Sequence, residues 1–249
     1  NVVGGSACPP AMLKVFKEQF DCETIHAWGM TETSPLGSAN QIKTKHLNLS
    51  EEECLKVRLS QGRPPFGVDL RLTDEEKGTH EIARDGKTVG NLQIKGHWII
   101  DHYFGKDESA LTTDGWFDTG DIATLNEDGF MTLCDRAKDL IKSGGEWISS
   151  VELENIAMGH PEVAMAAVIA AQHPKWDERP VLIVVKKSES RISETELLDY
   201  YDDKIAKWQI PDKVIFVDSI PLSGTGKMLK KDLRESYGSI LTEQEQVPS

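Results

Sequence analysis

A lysine follows a glycine-rich loop near the end of the chain, in the sequence SGTGK at residues 223–227. Two glycines expose backbone N–H groups and the lysine adds a cation, a combination suited to phosphate oxygens. The P-loop pattern does not fit, because it needs Gly at Pro221 and Ser or Thr at Met228. The dinucleotide fingerprint does not fit either. Taken alone, Lys227 is more commonly a solvated charge at the start of a helix than a catalytic group.

Hydroxyl and carboxylate groups follow a predicted strand in the sequence WGMTET, residues 28–33. Thr31 and Glu32 suit a phosphate oxygen and a hard cation such as Mg²⁺. A second carboxylate, Asp121, ends the sequence WFDTGD and could accept hydrogen bonds from both hydroxyls of a ribose. Arg136 could add a guanidinium to the same sugar. Turn capping by Asp121 and a surface ion pair of Arg136 are the structural alternatives.

Two further stretches combine glycine with groups that could contact a ligand. The sequence GGS at residues 4–6 is a small-residue turn against which a flat base could lie, although such a run is more commonly just a turn. Gly144 and Gly145 allow positive φ and a close approach of the backbone to a ligand. Trp147 offers an apolar wall beside them, with plain core packing as its alternative.

The stretch from Cys134 to Glu154 is predicted to be a joint around which these groups are arranged. Polar and apolar residues follow no single period here, which indicates a connection that carries chemistry rather than a core element. The sequence SSVE at residues 149–152 is a capping box and predicts a helix immediately after it.

Length, composition and charge limit the class of protein. The chain has 249 residues, 39% of them hydrophobic, which is enough for one large or two modest domains. Its formal net charge of −13 argues against a nucleic-acid partner, whose phosphates need a basic face. No transmembrane-length apolar run and no basic leader occur, so we predict a cytoplasmic location without a transmembrane segment. The four cysteines are far apart, which favours free thiols over a zinc site or disulfides.

Apolar periodicity, turn signals and capping boxes predict elements along the whole chain. Helices are expected over residues 9–20, 51–59, 150–158 and 193–208 and from residue 227. Strands are expected over residues 24–28, 68–72, 91–95, 121–125, 130–134, 163–171, 181–185 and 213–217. Short strands joined by Asp-Gly turns indicate a small antiparallel sheet or barrel in the middle of the chain.

These elements predict a mixed α/β and α+β fold in separate parts. Residues 1–137 would comprise an α/β remnant over 1–60 and a β-rich, β-barrel-like subdomain over 61–137. Residues 138–240 would form a separate α+β domain, and residues 241–249 a flexible tail.

Six motifs occur in the order and approximate spacing of the adenylate-forming superfamily, which the chain resembles over residues 1–235. The motifs are Gly4-Gly5-Ser6 and the stretches 28–33, 90–96, 116–121, 135–154 and 221–230. The superfamily contains acyl-CoA synthetases, luciferases and carrier-loading adenylation domains. Within it the chain is most similar to medium- and long-chain fatty acyl-CoA ligases, including the methylmercaptopropionate-CoA ligase branch. The resemblance implies the tail of a large nucleotide- and acyl-binding domain followed by a mobile C-terminal domain.

The resemblance also implies a two-step reaction. A carboxylic acid reacts with MgATP to give an acyl-adenylate, and CoA then takes the acyl group and releases AMP. The nucleotide-binding residues would be Gly4, Gly5, Ser6, Trp28, Gly29, Met30, Thr31, Asp121 and Arg136. Glu32 would bind Mg²⁺. Lys227 would bridge the attacking carboxylate and the phosphoryl oxygens through electrostatics and alignment.

In this superfamily the C-terminal domain rotates about a hinge two residues after the motif arginine, which here falls on Lys138. One orientation would bring Lys227 to the nucleotide. The other orientation would bring the segment from Lys142 to Trp147 to the nucleotide site. Lys142 and Trp147 would then serve the second step by admitting the thiol. The CoA-binding residues would be Lys142, Gly144, Gly145, Glu146 and Trp147.

The sequence departs from the superfamily pattern in two places. Gly90-Asn91-Leu92 replaces the usual Gly-Glu-Leu, a mild structural change. The Ser/Thr/Gly-rich loop that clasps the β and γ phosphates is upstream in the family, and residues 1–6 resemble the end of a buried strand running into a turn. We therefore expect that an N-terminal half is missing and is needed for a complete active site.

Two other functions stay open beside the CoA ligase. One is an adenylation domain that loads a carrier protein, and the other is a non-catalytic AMP-binding fragment. The lack of an appended carrier-like domain favours the ligase over the carrier-loading adenylation domain. A homodimer stays open as well.

Overall fold

The computed structural model describes residues 1–5, 8–224 and 226–243 of the chain. Ser6 and Thr225 lie outside this part, as do residues 244–249, which form most of the predicted tail. The chain divides into two compact units, Asn1–Ala137 (the first unit) and Lys138–Ser249 (the second unit). No helix in the described part combines the length and apolar content that a membrane crossing needs.

The first unit is rich in short strands, as the sequence predicts. Its helices are α1 (Pro10–Phe20) and α2 (Glu51–Leu59), and its strands are β1 (Val2–Gly4), β2 (Ile25–Gly29), β3 (Leu36–Ala39), β4 (Val68–Thr73), β5 (Gly90–Gly96), β6 (Phe117–Leu125) and β7 (Met131–Arg136). The elements predicted between residues 9 and 134 are thereby confirmed, except that β6 begins at Phe117 rather than Asp121. The hydroxyl of Ser50 accepts the N–H of Glu53, whose carboxylate accepts the N–H of Ser50, so α2 begins with the predicted capping box.

Strands β1, β2 and β3 form a sheet in that order. β1 is parallel to β2, with Gly4 opposite Ala27, and β3 is antiparallel to β2, with Ser38 opposite Trp28. The prediction that the opening strand is buried is wrong. Val2 is exposed and Val3 only half-buried, and β1 is an edge strand that pairs with β2 alone among the described strands.

Strands β4 to β7 form an antiparallel sheet in chain order. Of the antiparallel sheet or barrel expected from the sequence, the sheet is confirmed and the barrel-like closure is wrong, since β4 and β7 do not pair within the described residues and four strands are too few to enclose a core. Other segments bond to both outer strands instead. The N–H of Ile82 donates to the carbonyl of Leu72, and the N–H of Met131 donates to the carbonyl of Gly62.

The second unit is built around one five-stranded sheet. Its helices are α3 (Ser150–Met158), α4 (Glu194–Asp199), α5 (Lys230–Tyr237) and α6 (Ile240–Glu243), and its strands are β8 (Ile141–Ser143), β9 (Glu146–Ile148), β10 (Val163–His173), β11 (Asp177–Lys186) and β12 (Lys213–Phe216). The order is β10-β11-β8-β9, and β12 pairs in parallel with β11. Val168 and Leu182 belong to the core on one face, Ile169 and Ile183 to the core on the other. Burial on both faces explains the continuous apolar runs of β10 and β11.

The joint predicted between Cys134 and Glu154 is more regular than its sequence indicates. β8 and β9 form a hairpin with Lys142 opposite Trp147, and Ile141 and Ile148 belong to the core. The prediction that this stretch holds no core element is therefore wrong, because three-residue strands are too short to show a period.

Two predicted helices of the second unit differ in extent. The helix expected over 193–208 ends at Asp199, because Tyr201 is buried with its hydroxyl bonded to the carbonyl of Leu153 and Asp203 has a φ of 62°. The last long helix begins at Lys230 rather than Lys227. Helix α6 covers the beginning of the predicted tail.

Candidate functional site

The carboxyl ends of the parallel strands β1 and β2 lie side by side in the first unit. Because Gly4 is opposite Ala27, residues 4–5 and residues 29–30 leave the sheet at the same end. Ligands of open sheets with parallel strands bind at this end. The predicted adenine turn and the predicted phosphate motif are thus neighbours, while Ser6 lies outside the described residues.

The motif after β2 is folded into a short 3₁₀ turn, Thr31–Thr33. The N–H of Met30 donates to Oγ1 of Thr33 at 2.9 Å. Gly29 is required before the turn, because a Cβ built on it would lie 1.8 Å from the carbonyl oxygen of Pro35. This close packing leaves Thr31 exposed and Glu32 half-buried at the surface.

Asp121 is the buried centre of the predicted sugar site. Its Oδ2 accepts the indole N–H of Trp28 at 2.9 Å, and its Oδ1 lies 2.8 Å from Nε of Arg136. The strand register produces the second contact, since Asp121 is opposite Arg136 between β6 and β7. The ion pair considered as the alternative for Arg136 is therefore present, with Asp121 as its partner. The Arg136 side chain is still 43% exposed, so part of the guanidinium is accessible to a ligand.

Trp28 is fixed by a contact that the sequence analysis missed. Its six-membered ring lies against Gly37 of β3, where a Cβ would come within 2.2 Å of Cζ3 of the indole. The ring belongs to the core of the β4–β7 sheet, and its nitrogen reaches Asp121. A residue larger than glycine at position 37 would displace the ring and with it the hydrogen bond to Asp121.

Glu32 is hydrogen-bonded by Tyr103, another residue that the sequence analysis missed. The Tyr103 hydroxyl donates to Oε1 of Glu32 at 2.9 Å, and the N–H of Ile100 donates to the carbonyl of Glu32 at 2.9 Å. Burial, and then the neighbouring Glu32 carboxylate, raise the pKa of Tyr103. Tyr103 lies in an aperiodic polar connection between β5 and β6, 71 residues from Glu32, so no local pattern signals the contact.

A cleft of about 780 Å³ opens beside these groups, a volume within the usual range for small-molecule sites. Met30 and Tyr103 line one part of it, and Thr119 and Gly120, which precede Asp121, line another. The motif after β2 and the strand that carries Asp121 therefore border the same cavity.

The available donors suit a magnesium ion that is shared with a phosphate. Oε2 of Glu32 has no hydrogen bond or ion pair to the described residues, and Thr31 places a hydroxyl next to it in sequence. Within the same residues, no group of three or more His, Cys, Asp or Glu side chains could hold a metal. Mg²⁺ commonly takes one or two carboxylates together with substrate phosphates and water. Glu32 fits that mode rather than an all-protein cage.

The predicted thiol-binding residues lie on the β8–β9 hairpin of the second unit. Nζ of Lys142 is 5.8 Å from the ring centre of Trp147, and this indole is 50% exposed. Plain core packing, the alternative for Trp147, is therefore wrong. Glu146 is exposed as well, so the outer side of the hairpin is accessible to a ligand.

The two glycines of the hairpin differ in their surroundings. Gly144 has a φ of 59°, donates its N–H to the carbonyl of Trp176 at 2.8 Å, and would bring a Cβ within 2.9 Å of the Trp176 ring. An added Cβ at Gly145 meets nothing within 4 Å. The close approach at Gly144 is thus made by Trp176, a contact that the sequence did not reveal, and the space beside Gly145 is open.

Lys227 lies in a tight turn and not at a helix start. Its N–H donates to Oγ of Ser223 at 3.1 Å, and its carbonyl accepts the N–H of Ser223 at 2.7 Å. The Lys227 side chain is exposed and forms no ion pair with the described residues. The turn therefore presents an ammonium group that is available to an anionic ligand.

A turn suited to a base, carboxylates suited to a sugar and a cation, and a lone lysine on a separate unit are together typical of proteins that act on an adenine nucleotide. Residues 1–104 match the family profile described as AMP-binding enzyme, and residues 152–227 match the AMP-binding enzyme C-terminal domain. The chain belongs to this family of adenylate-forming enzymes.

Several named relatives are similar to almost the whole chain. The 3-methylmercaptopropionyl-CoA ligase of Ruegeria lacuscaerulensis is 56% identical over 97% of the chain, and the medium-chain-fatty-acid–CoA ligase of Ectopseudomonas oleovorans is 56% identical over 96%. The long-chain-fatty-acid–CoA ligase of Thermus thermophilus is 48% identical over 95%. The chain spans 44% of the length of each of these relatives.

Solved structures show the same fold. ATP-bound MatB from Rhodopseudomonas palustris superposes with a TM-score of 0.80 at 28% identity, covering 96% of this chain and 46% of that one. The o-succinylbenzoate CoA synthetase (MenE) from Bacillus subtilis, in complex with the acyl-adenylate OSB-AMP, has a TM-score of 0.80 at 29% identity over 94% of this chain and 45% of its own. A further structure of that synthetase contains ATP and a magnesium ion.

Proposed function

We propose that this chain is the C-terminal part of an AMP-forming acyl-CoA ligase that acts on a carboxylic acid, ATP and CoA. The names of the relatives support a medium- or long-chain fatty acid, or a short thioether acid of the methylmercaptopropionate type. The observation that carries the proposal is the Asp121 carboxylate held between Trp28 and Arg136. It lies on the strand whose residues Thr119 and Gly120 line the same cleft as Met30. An N-terminal half like that of the relatives completes the acyl pocket.

In the first step, an oxygen of the substrate carboxylate attacks the α-phosphorus of ATP and the bond to pyrophosphate breaks. Asp121 accepts hydrogen bonds from the ribose hydroxyls, and Arg136 contacts the same sugar. The Gly4-Gly5 turn and the Trp28 to Met30 segment flank the adenine and the acyl group. Thr31 contacts a phosphate oxygen. When bound at Glu32, Mg²⁺ supplies neutralisation of the phosphate charge.

Lys227 is the cation of this step. Its exposed ammonium bridges the attacking carboxylate and the α-phosphate oxygens, so that it aligns two anions which otherwise repel. The free side chain on a tight turn supports this role, because no described partner has to be displaced before the lysine binds substrate.

In the second step, the CoA sulfur attacks the carbonyl carbon of the acyl-adenylate, AMP leaves, and the thiol proton passes to solvent. The β8–β9 hairpin forms the wall beside the incoming thiol. The exposed indole of Trp147 forms the apolar side of this wall, and the open space beside Gly145 lets the thiol approach. Lys142 and Glu146 contact the CoA chain. The second unit rotates about Lys138 between the steps, so that the Lys227 turn and the hairpin serve the nucleotide site in succession.

The test uses the full-length enzyme with ATP, CoA and a panel of methylmercaptopropionate and fatty acids of rising chain length. We expect AMP release that requires both an acid and free CoA. Acyl transfer to a pantetheinyl carrier protein without turnover on free CoA would instead identify a carrier-loading domain. AMP binding without pyrophosphate exchange would identify a non-catalytic fragment.

A further inference from the structure

We propose that Tyr103 is a positioning residue for the magnesium-binding carboxylate of Glu32. The inference rests on the proposed function, since it concerns the cation that accompanies ATP. The Tyr103 hydroxyl donates to Oε1 of Glu32 at 2.9 Å. This bond occupies one carboxylate oxygen and leaves Oε2, which has no described partner, to face the cation.

The main chain at Glu32 and after it is braced by the same segment that carries Tyr103. The N–H of Ile100 donates to the carbonyl of Glu32 at 2.9 Å, and the indole N–H of Trp98 donates to the carbonyl of Leu36 at 3.1 Å. Three hydrogen bonds from residues 98–103 thus reach residues 32–36. The Tyr103 contact is the one that acts on the Glu32 side chain, and the other two fix the backbone from which that side chain projects.

Tyr103 is itself held at the base of a closed loop. The N–H of Ala110 donates to the carbonyl of Asp101 at 2.7 Å, and the hydroxyl of Ser109 donates to the Asp101 carboxylate at 3.1 Å. The N–H of Lys106 donates to the carbonyl of Tyr103 at 3.0 Å. These bonds fix the backbone of Tyr103 while its ring borders the cleft next to Met30. A fixed phenol restricts the Glu32 carboxylate to fewer orientations than a solvent-exposed glutamate would have.

A carboxylate that must bind a metal loses less orientational freedom when a second group already holds it. Hydrogen-bond partners of metal ligands commonly change metal affinity by about 10- to 100-fold when they are removed. Because Tyr103 is 47% exposed and water can replace its hydroxyl, we expect the lower end of that range, about 10-fold. The conservative change Tyr103→Phe removes the hydroxyl and keeps the ring that borders the cleft.

The experiment compares the full-length enzyme with its Tyr103→Phe variant. Binding of Mn²⁺ in the presence of a non-reacting ATP analogue is measured by electron paramagnetic resonance, and the Mg²⁺ concentration for half-maximal pyrophosphate exchange is measured separately. We expect the dissociation constant of Mn²⁺ and the Mg²⁺ concentration for half-maximal exchange each to rise about 10-fold in Tyr103→Phe. Thioester formation from preformed acyl-adenylate should keep its rate. Tyr200→Phe is the matched control, because it removes a tyrosine hydroxyl bonded to the carbonyl of Gly159 in the second unit.

The outcomes separate this inference from the proposed function. Unchanged Mn²⁺ affinity in Tyr103→Phe, in an enzyme whose unmodified form carries out exchange, would overturn the role of Tyr103 alone. A change in the KM for the acid without a change in metal affinity would do the same, because it would place Tyr103 against the substrate. If the unmodified enzyme neither binds the metal–nucleotide complex nor exchanges pyrophosphate, the ligase proposal itself is contradicted.

Discussion

The Nζ atom of Lys230 lies 2.7 Å from Oε1 of Glu154, and the two side chains are only 10% and 9% exposed. The same glutamate oxygen accepts the N–H of Val168 at 2.8 Å, and the lysine also donates to the hydroxyl of Ser150 at 2.6 Å. A second ion pair, at 2.5 Å, joins Arg234 of α5 to Asp139. Helix α5, which follows the Lys227 turn, is therefore bonded to α3 and to the residue beside the proposed hinge, and α3 is in turn bonded to β10.

We predict that Glu154→Gln lowers the free energy of unfolding by about 3 kcal/mol, because it leaves the Lys230 ammonium buried without a counter-charge. Urea unfolding of the protein measures the change. Glu235→Gln is the control on the same helix, since its pair with Lys231 is exposed and 3.7 Å long, and it should cost less than about 0.5 kcal/mol. Equal effects of the two substitutions would show that burial does not decide the outcome.

The β8–β9 hairpin should not tolerate a side chain at Gly144. Gly144→Ala combines a φ of 59° with a Cβ 2.9 Å from the Trp176 ring, so we expect a loss of about 2 kcal/mol in unfolding free energy. The fluorescence of Trp176 should change in parallel. Gly224→Ala, where nothing lies within 4 Å of an added Cβ and φ is not positive, should be close to neutral. A neutral Gly144→Ala would mean that the hairpin can move away from Trp176.

An acid-sensitive ion pair joins Arg71 of β4 to Asp114 in the connection that leads into β6. Arg71, followed by the hydroxyl of Thr112, lowers the pKa of Asp114 from 3.8 to about 2. Since the folded pKa lies below the unfolded one, the contribution to stability is complete above the unfolded value and is lost as the pH falls from there towards about 2. The guanidinium carbon of Arg71 also lies 4.5 Å from the ring centre of Trp116, so the same arginine contacts the first residue of the motif that ends at Asp121.

We therefore expect the stability of Asp114→Asn to depend less on pH between about 5 and about 3 than that of the unmodified protein. Urea unfolding at the two pH values measures the difference. Asp69→Asn, at an exposed position two residues before Arg71, serves as the control and should retain the original pH dependence. The assignment fails if the Asp114 variant titrates like the unmodified protein.

The indole N–H of Trp28 should matter for nucleotide affinity. Trp28→Phe leaves Oδ2 of the buried Asp121 without this donor, and we expect AMP affinity to fall about 10-fold, which corresponds to about 1.4 kcal/mol. Calorimetric titration with AMP measures it. Trp208→Phe alters an indole that is 46% exposed in the second unit and should leave AMP binding unchanged. Similar losses of AMP affinity in both variants would show that the hydrogen bond from Trp28 to Asp121 is not the cause.

The sequence predicts most elements of this fold because their signals are local. The Ser50 capping box, the apolar run of β10 and the helical spacing of α1 each need only neighbouring residues. The errors occur where tertiary contacts decide. The helix after Ser193 is shortened by the buried Tyr201, and the three-residue strands β8 and β9 exist through pairing with each other and with β11.

The candidate site is predictable in its residue types but not in its contacts. The family motifs indicate Asp121, Arg136 and Trp28, yet no sequence pattern shows that Asp121 accepts the indole N–H of Trp28 and forms an ion pair with Arg136. Tyr103 has no local signal because its partner Glu32 is 71 residues away. Gly37 has none because it matters only by leaving space for the Trp28 ring. Packing and long-range hydrogen bonds supply this information.

Lys227 and Trp147 are proposed to serve different half-reactions of one enzyme. Pyrophosphate exchange and the conversion of preformed acyl-adenylate to acyl-CoA, measured in the full-length enzyme, test this proposal directly. Lys227→Ala should slow exchange by about 100-fold and leave thioester formation intact, because only the first step needs a cation at the α-phosphate. Trp147→Ala should slow thioester formation and leave exchange intact. Retained exchange in Lys227→Ala, or parallel losses of both half-reactions in both variants, would contradict this division of roles between Lys227 and Trp147.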